Sequence, residues 1–142
     1  MAHNDVTDRI LDAAMKVHSG LGAGLLESTY QVRLCHQFAV DNLRFSHQVS
    51  LPVIYQGIQV DAGYRIDFLV ENCVVLELKA VEKLLPVHTA QLLTYLKLSG
   101  HQVGLLVNFN VPHLRQGIRR VVNGYVDPDE KNLPPRPPRP LQ

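Results

Sequence analysis

Asp67, Glu77 and the neighbouring Lys79 are the residues of this chain whose types and spacing suggest chemistry. In an extended strand alternate side chains share a face, so Glu77 and Lys79 point the same way while Val74, Leu76 and Leu78 can fill a core. A hairpin would bring Asp67, on the preceding strand, beside Glu77. Two carboxylates with water form a hard oxygen site for Mg²⁺ or Mn²⁺. Such an ion polarises a phosphodiester and acidifies water. An ammonium beside it orients that water or stabilises charge on phosphoryl oxygens. A neutral lysine could act as a base instead, but neighbouring carboxylates favour its charged form. The bland alternative is the wet face of an antiparallel sheet.

These residues depend on the elements that hold them. Val6, Ile10, Ala13, Ala14 and Val17 recur at helical spacing, predicting a helix over 5–19 that Asn4 or Asp5 could cap. Gly20, Gly22 and Gly24 stop it. A second helix is predicted over 25–40, with Leu26, Tyr30, Leu34 and Phe38 as its apolar stripe and Glu27 flanking them. Residues 45–55 read as a strand, Ile58-Gln59-Val60 as a short partner, and Asp61-Ala62-Gly63 as a turn. Residues 64–70 and 73–79 read as a hairpin joined at Glu71-Asn72. Pro86 opens a third helix over 87–99 that Gly100 ends. On it Gln91 and Tyr95 share a face, one turn after His88, and Leu92, Leu93 and Leu96 line the apolar sector. Residues 103–109 read as a further strand that tolerates Gly104, and 114–124 as either a short helix or a strand and turn. The helices can bring Gln91, Tyr95 and Glu27 to the acidic cluster.

Composition bounds the possibilities. The chain has 142 residues, 46% of them hydrophobic, and a formal charge of +1, which excludes a strongly charged polyelectrolyte binder but not a local basic groove. Arg115, Arg119 and Arg120 offer such a patch for a nucleic-acid backbone. From residue 111 onward six Lys and Arg stand against three Asp and Glu; before it, eight stand against ten. An ordinary solvated face is the alternative. No apolar run suggests a membrane helix, and the opening residues do not resemble a secretion signal, so a cytoplasmic protein is expected. Cys35 and Cys73 read as separate reduced thiols, and the seven histidines show no His-x-x-x-His pair. The glycines at 20, 22 and 24 follow a helix, not a strand, and their spacing does not fit a dinucleotide-binding loop. Residues 127–142 read as a Pro-rich tail, extended or disordered.

Several segments together resemble the GxxExxY protein family within the PD-(D/E)xK nuclease superfamily. They are Gly24-Leu-Leu-Glu27-Ser-Thr-Tyr30, Tyr64-Arg-Ile-Asp67-Phe-Leu-Val, Val75-Leu-Glu77-Leu-Lys79-Ala, His88-Thr-Ala-Gln91-Leu-Leu-Thr-Tyr95-Leu and Gly104-Leu-Leu-Val-Asn108-Phe109. Isoleucine stands at position 66, where the superfamily usually carries proline. The resemblance implies an α/β fold of restriction-endonuclease-like type, a central mixed sheet flanked by helices, over residues 1–126. It implies a Mg- or Mn-dependent nuclease hydrolysing DNA phosphodiester bonds. Asp67 and Glu77 would be metal ligands, joined by the Leu78 carbonyl and by Glu27 as the upstream helical acid. Lys79 would position water, and Gln91 and Tyr95 would orient groups at the site. DNA is the expected partner with RNA open beside it, no membrane is involved, and a homodimer is expected by analogy of fold. The competing expectation is a catalytically silent nucleic-acid-binding or protein-interaction module on the same fold.

Overall fold

A computed structural model describes residues 1–60 and 63–125. Among these residues there are three helices, α1 (His3–Leu21), α2 (Glu27–Val40) and α3 (Pro86–Ser99), and seven strands. The strands are β1 (Phe45–Ser50), β2 (Val53–Tyr55), β3 (Ile58–Val60), β4 (Arg65–Val70), β5 (Val74–Lys79), β6 (Val103–Asn108) and β7 (Ile118–Val122). Five of them form one mixed sheet in the order β1-β4-β5-β6-β7, in which β5 and β6 are parallel and the other neighbours antiparallel. The central mixed sheet flanked by helices therefore stands as expected.

The parallel pair requires a crossover, and α3 supplies it. Phe68, Leu76, Leu78, Leu105 and Val107 pack with α1 and α2 through Ile10, Ala14, Tyr30, Leu34 and Phe38. Val75 and Leu106 pack on the opposite side with Leu92, Tyr95 and Leu96 of α3. Gly104 makes that second layer tight. A Cβ there would lie 2.9 Å from Leu92 Cδ1, so the glycine permits the close approach of helix to strand.

Several boundaries depart from the sequence reading, each for a local reason. Helix α1 starts before Asn4 and Asp5, with Ala2 as N-cap and no side-chain cap, while the Asn4 carbonyl accepts a bond from the Thr7 hydroxyl. Leu26 is exposed at the N-cap of α2, so the buried stripe is Tyr30, Leu34 and Phe38, with Gln31 beside it. The strand expected over 45–55 breaks at Leu51-Pro52, where proline has no N–H for a ladder. Beyond the break β2 and β3 form their own antiparallel pair, turning at Gln56 and Gly57, both with positive φ. Residues 114–124 contain both alternatives: a 3₁₀ turn, Leu114–Gly117, runs directly into β7.

Cys35 and Cys73 are free, half-buried thiols, and burial pushes both pKa values up. Among the described residues no helix is long and apolar enough to cross a membrane. The Pro-rich tail at 127–142 and two residues of the turn at 61–63 lie outside the described residues.

Candidate active site

The site forms where β4 and β5 part. Their ladder runs from Val70↔Val74 to Phe68↔Leu76 and stops. Beyond it two carboxylates take up the backbone donors that a ladder would have paired. The Asp67 N–H donates to Glu77 Oε1 at 3.0 Å, and the Leu78 N–H donates to Asp67 Oδ2 at 2.8 Å. The β1–β4 register passes from His47↔Phe68 to Val49↔Ile66, leaving Gln48 opposite Asp67. Gln48 has φ of 56°, a left-handed conformation unusual within a strand. The ribbon changes face at this point: Phe68 packs toward α1 and α2, whereas Ile66 packs toward α3 although strict alternation would keep the two together. Asp67 sits at that crossover.

Glu77 is 7% exposed. Burial, and then the charge of Asp67, push its pKa up to about 9, against the relief given by the Asp67 N–H and by Lys79. A carboxylate so desolvated stands where a positive charge would be most stabilising. Lys79 follows on the same face of β5, and its backbone carbonyl accepts the Phe109 N–H at 2.9 Å, which fixes the strand end. The Leu78 side chain is fully buried in the opposite layer, so only its backbone is available to the site.

Glu27 opens α2, where the helix dipole favours an acid. Burial and Asp67 raise its pKa, while Lys79 and Gln31 oppose the shift, so Glu27 lies within the electrostatic reach of the strand cluster. The loop before it is clamped. The Tyr30 hydroxyl donates to the Gly22 carbonyl at 2.6 Å and accepts from the Leu25 N–H at 3.2 Å. The Gly24 N–H donates to Asn110 Oδ1 at 3.1 Å. Tyr30 itself stacks on Phe109 with ring centroids 4.6 Å apart. Gly22 and Gly24 carry positive φ, so the glycine run shapes the turn that delivers Glu27.

From the α3 side, Gln91 Nε2 donates to the Tyr95 hydroxyl at 2.9 Å. Burial raises the Tyr95 pKa, and Glu77 and Asp67 add to the shift. The structure thus brings Asp67, Glu77, Lys79, Glu27, Gln91 and Tyr95 to one end of the sheet. The three arginines do not form one patch. Across the sheet Glu77 pairs with Leu106 and Leu106 with Arg119, a same-face row about 10 Å long at the usual strand spacing. Arg120 points to the other face, where it bonds Asn4 Oδ1 at 3.0 Å and lies 5.5 Å from the Tyr125 ring centroid. Arg115 is exposed on the 3₁₀ turn at the β7 end nearest the site.

Among the described residues no three His, Cys, Asp or Glu side chains converge closely enough to hold an ion together. The carboxylate pair is Asp67 with Glu77. This donor set fits Mg²⁺ or Mn²⁺, which need only one or two carboxylates and complete their shells with water. Asp67 Oδ1 faces Gln48 Nε2 at 3.5 Å and has lone-pair capacity for such an ion. The site lies where the interior strands β4 and β5 part, at one end of the sheet. A concavity of about 500 Å³ lined by Arg44, Phe45, Glu71 and Asn72 lies at the far end of the β1–β4 ribbon, away from these groups.

The sequence reading missed Gln31, His47, Gln48 and Asn110. The spacing of Glu27 and Gln31 placed both on one helix face, a signal that was available. His47, Gln48 and Asn110 reach the site only through long-range pairing, which leaves no local pattern. A family model described as the PD-(D/E)XK nuclease superfamily matches residues 4–121. No curated protein and no solved structure matches the chain.

Proposed function

The chain belongs to the PD-(D/E)XK nuclease superfamily, and on that footing we propose that it is a Mg²⁺- or Mn²⁺-dependent nuclease hydrolysing DNA phosphodiester bonds, of the GxxExxY type. The observation that carries this reading is the carboxylate pair at the parted strand ends, with Asp67 and Glu77 cross-bonded and Lys79 on the same face. Asp67 and Glu77 would hold the ion, with the Leu78 carbonyl adding an oxygen and Glu27 reaching it through water. Bound there, the ion supplies Lewis acidity toward the phosphodiester.

The remaining work falls to the chain's own groups. Lys79 presents its ammonium to the attacking water and to the charge developing on phosphoryl oxygens. Tyr95, held by Gln91, offers a hydroxyl at the rim for orienting substrate. Arg119 lies along the row from Glu77, where it can contact a neighbouring phosphate. Two free thiols, Cys35 and Cys73, suit a reducing, cytoplasmic setting. A homodimer would let two such sites act on both strands of a duplex.

A second reading, a catalytically silent module that binds nucleic acid or protein, draws on the same hydrogen bonds. Both carboxylates already accept backbone N–H groups, as purely structural side chains would. A screen of duplex, nicked, flapped and single-stranded DNA and of RNA, with Mg²⁺, Mn²⁺ or chelator, separates the two. Metal-dependent cleavage supports the nuclease; a folded protein that neither cleaves nor binds metal in calorimetry supports the silent module.

A further inference from the structure

Gln31 is 6% exposed, and its Nε2 is fully buried with no hydrogen-bond partner. A buried donor left unpaired costs about 1–3 kcal/mol, and native folds rarely keep one without a use. Its other end is well held: His47 Nε2 lies 2.6 Å from Gln31 Oε1, and the His47 ring stacks on Phe68 with centroids 4.5 Å apart. The neighbouring Gln48 faces Asp67, so β1 anchors this histidine beside the acidic site.

Gln31 follows Glu27 by one helical turn on the same face of α2, and it opposes the rise in the Glu27 pKa although Nε2 makes no hydrogen bond of normal geometry. The amide orientation follows from this neighbour. Reversed, it would turn Oε1 toward the Glu27 carboxylate, oxygen against oxygen. In the tautomer that protonates His47 Nε2, that nitrogen donates to Oε1 and the NH₂ group is left for the acid. We propose that Gln31, locked by His47, is the positioning residue for Glu27: its free N–H groups hold the Glu27 carboxylate, or the water it carries, toward Asp67 and Lys79 when the site is loaded. This rests on the nuclease reading for its consequence in catalysis, but not for the contact itself.

The contact predicts an unusual pairing of effects. Gln31→Met keeps the length, fills the same space and removes the orphan donor, and the exposed His47 can bond water in place of Oε1, so the thermal midpoint should hold or rise. A purely structural amide would instead lower it on removal. Cleavage should fall roughly 10–100-fold in kcat, as for other outer partners of metal ligands, while KM for DNA stays nearly constant. In a Glu27→Ala background the same substitution should cost nothing more, because the group it positions is gone.

The test combines this double-mutant cycle with ¹⁵N–¹H spectra of the Gln31 side-chain amide, assigned by its loss in Gln31→Met. The amide signal should move in Glu27→Ala and in His47→Phe, which preserves the stack on Phe68. A signal indifferent to Glu27→Ala, or an equal fall in kcat with and without Glu27, would overturn the proposal. Absence of cleavage by the wild type would defeat the nuclease reading alone, and the amide spectra would then decide the positioning contact by themselves.

Discussion

The Asp67 backbone N–H donates to Glu77 Oε1 at 3.0 Å, so one site carboxylate seals the strand that carries the other. The bond only partly offsets burial and the nearby Asp67 charge, which together push the Glu77 pKa up to about 9 from 4.5. Candidate chemistry and fold stability therefore compete at one residue.

The conflict has a pH signature. Between about 4.5 and about 9 the folded chain holds a proton on Glu77 that the unfolded chain releases. The stability associated with this group is fully present below that window and declines as pH rises through it. Glu77→Gln keeps an acceptor for the Asp67 N–H without a titrating charge. Its advantage over wild type should be near zero at pH 4 and grow with pH, up to about 3 kcal/mol at pH 7. Thermal unfolding of both proteins from pH 4 to 9 measures it; a constant difference across the range would contradict this assignment.

Tyr30 ties the glycine loop to Glu27. Tyr30→Phe keeps the stack on Phe109 but loses the bonds to the Gly22 carbonyl and the Leu25 N–H. Urea unfolding should show a loss of about 1–2 kcal/mol. Cleavage should fall as the start of α2 loosens.

Two glycines should respond very differently to a methyl group. At Gly117 a Cβ would lie 2.2 Å from the Asn108 carbonyl oxygen, whereas at Gly104 it would meet the side chain of Leu92. Backbone cannot yield as a leucine can. Gly117→Ala should therefore cost several times more stability than Gly104→Ala, with the latter at about 1–3 kcal/mol. Comparable denaturant midpoints for the two variants would show that the 3₁₀ turn shifts freely.

Arg119 and Arg120 adjoin in sequence but face opposite sides of β7. Arg119→Ala should weaken DNA binding and reduce the salt dependence of log K by about one unit. Arg120→Ala should leave that slope alone, since its partners are Asn4 and Tyr125. Fluorescence titrations at several salt concentrations distinguish them.

Much of this arrangement is legible in the sequence because it depends on periodicity. The helix stripes, the alternation of Val74, Leu76 and Leu78 against Glu77 and Lys79, and the turn at Glu71-Asn72 are local patterns, and the structure reproduces them. The Leu51-Pro52 break was missed because β-branched and aromatic residues continue past the proline. The face change at Asp67 was missed because it arises from Gln48 on another strand, in a conformation its residue type does not announce. The arginines read as one patch because sequence adjacency hides the strand alternation that separates them. His47 meets Gln31 only through tertiary packing.

Asp67, Glu77 and Lys79 are proposed to form one metal-dependent cleavage site. The most direct measurement is single-turnover cleavage of the best DNA substrate by wild type, Asp67→Asn and Lys79→Met at matched concentrations, with Mg²⁺ titrated and binding followed by calorimetry. Asp67→Asn should lose both cleavage and metal affinity while remaining folded, because a ligating charge is gone. Lys79→Met should lose cleavage while retaining most metal affinity, because the oxygen donors remain. Cleavage that persists equally in both variants, or a folded wild type that binds no metal and cuts no DNA, would contradict this proposal.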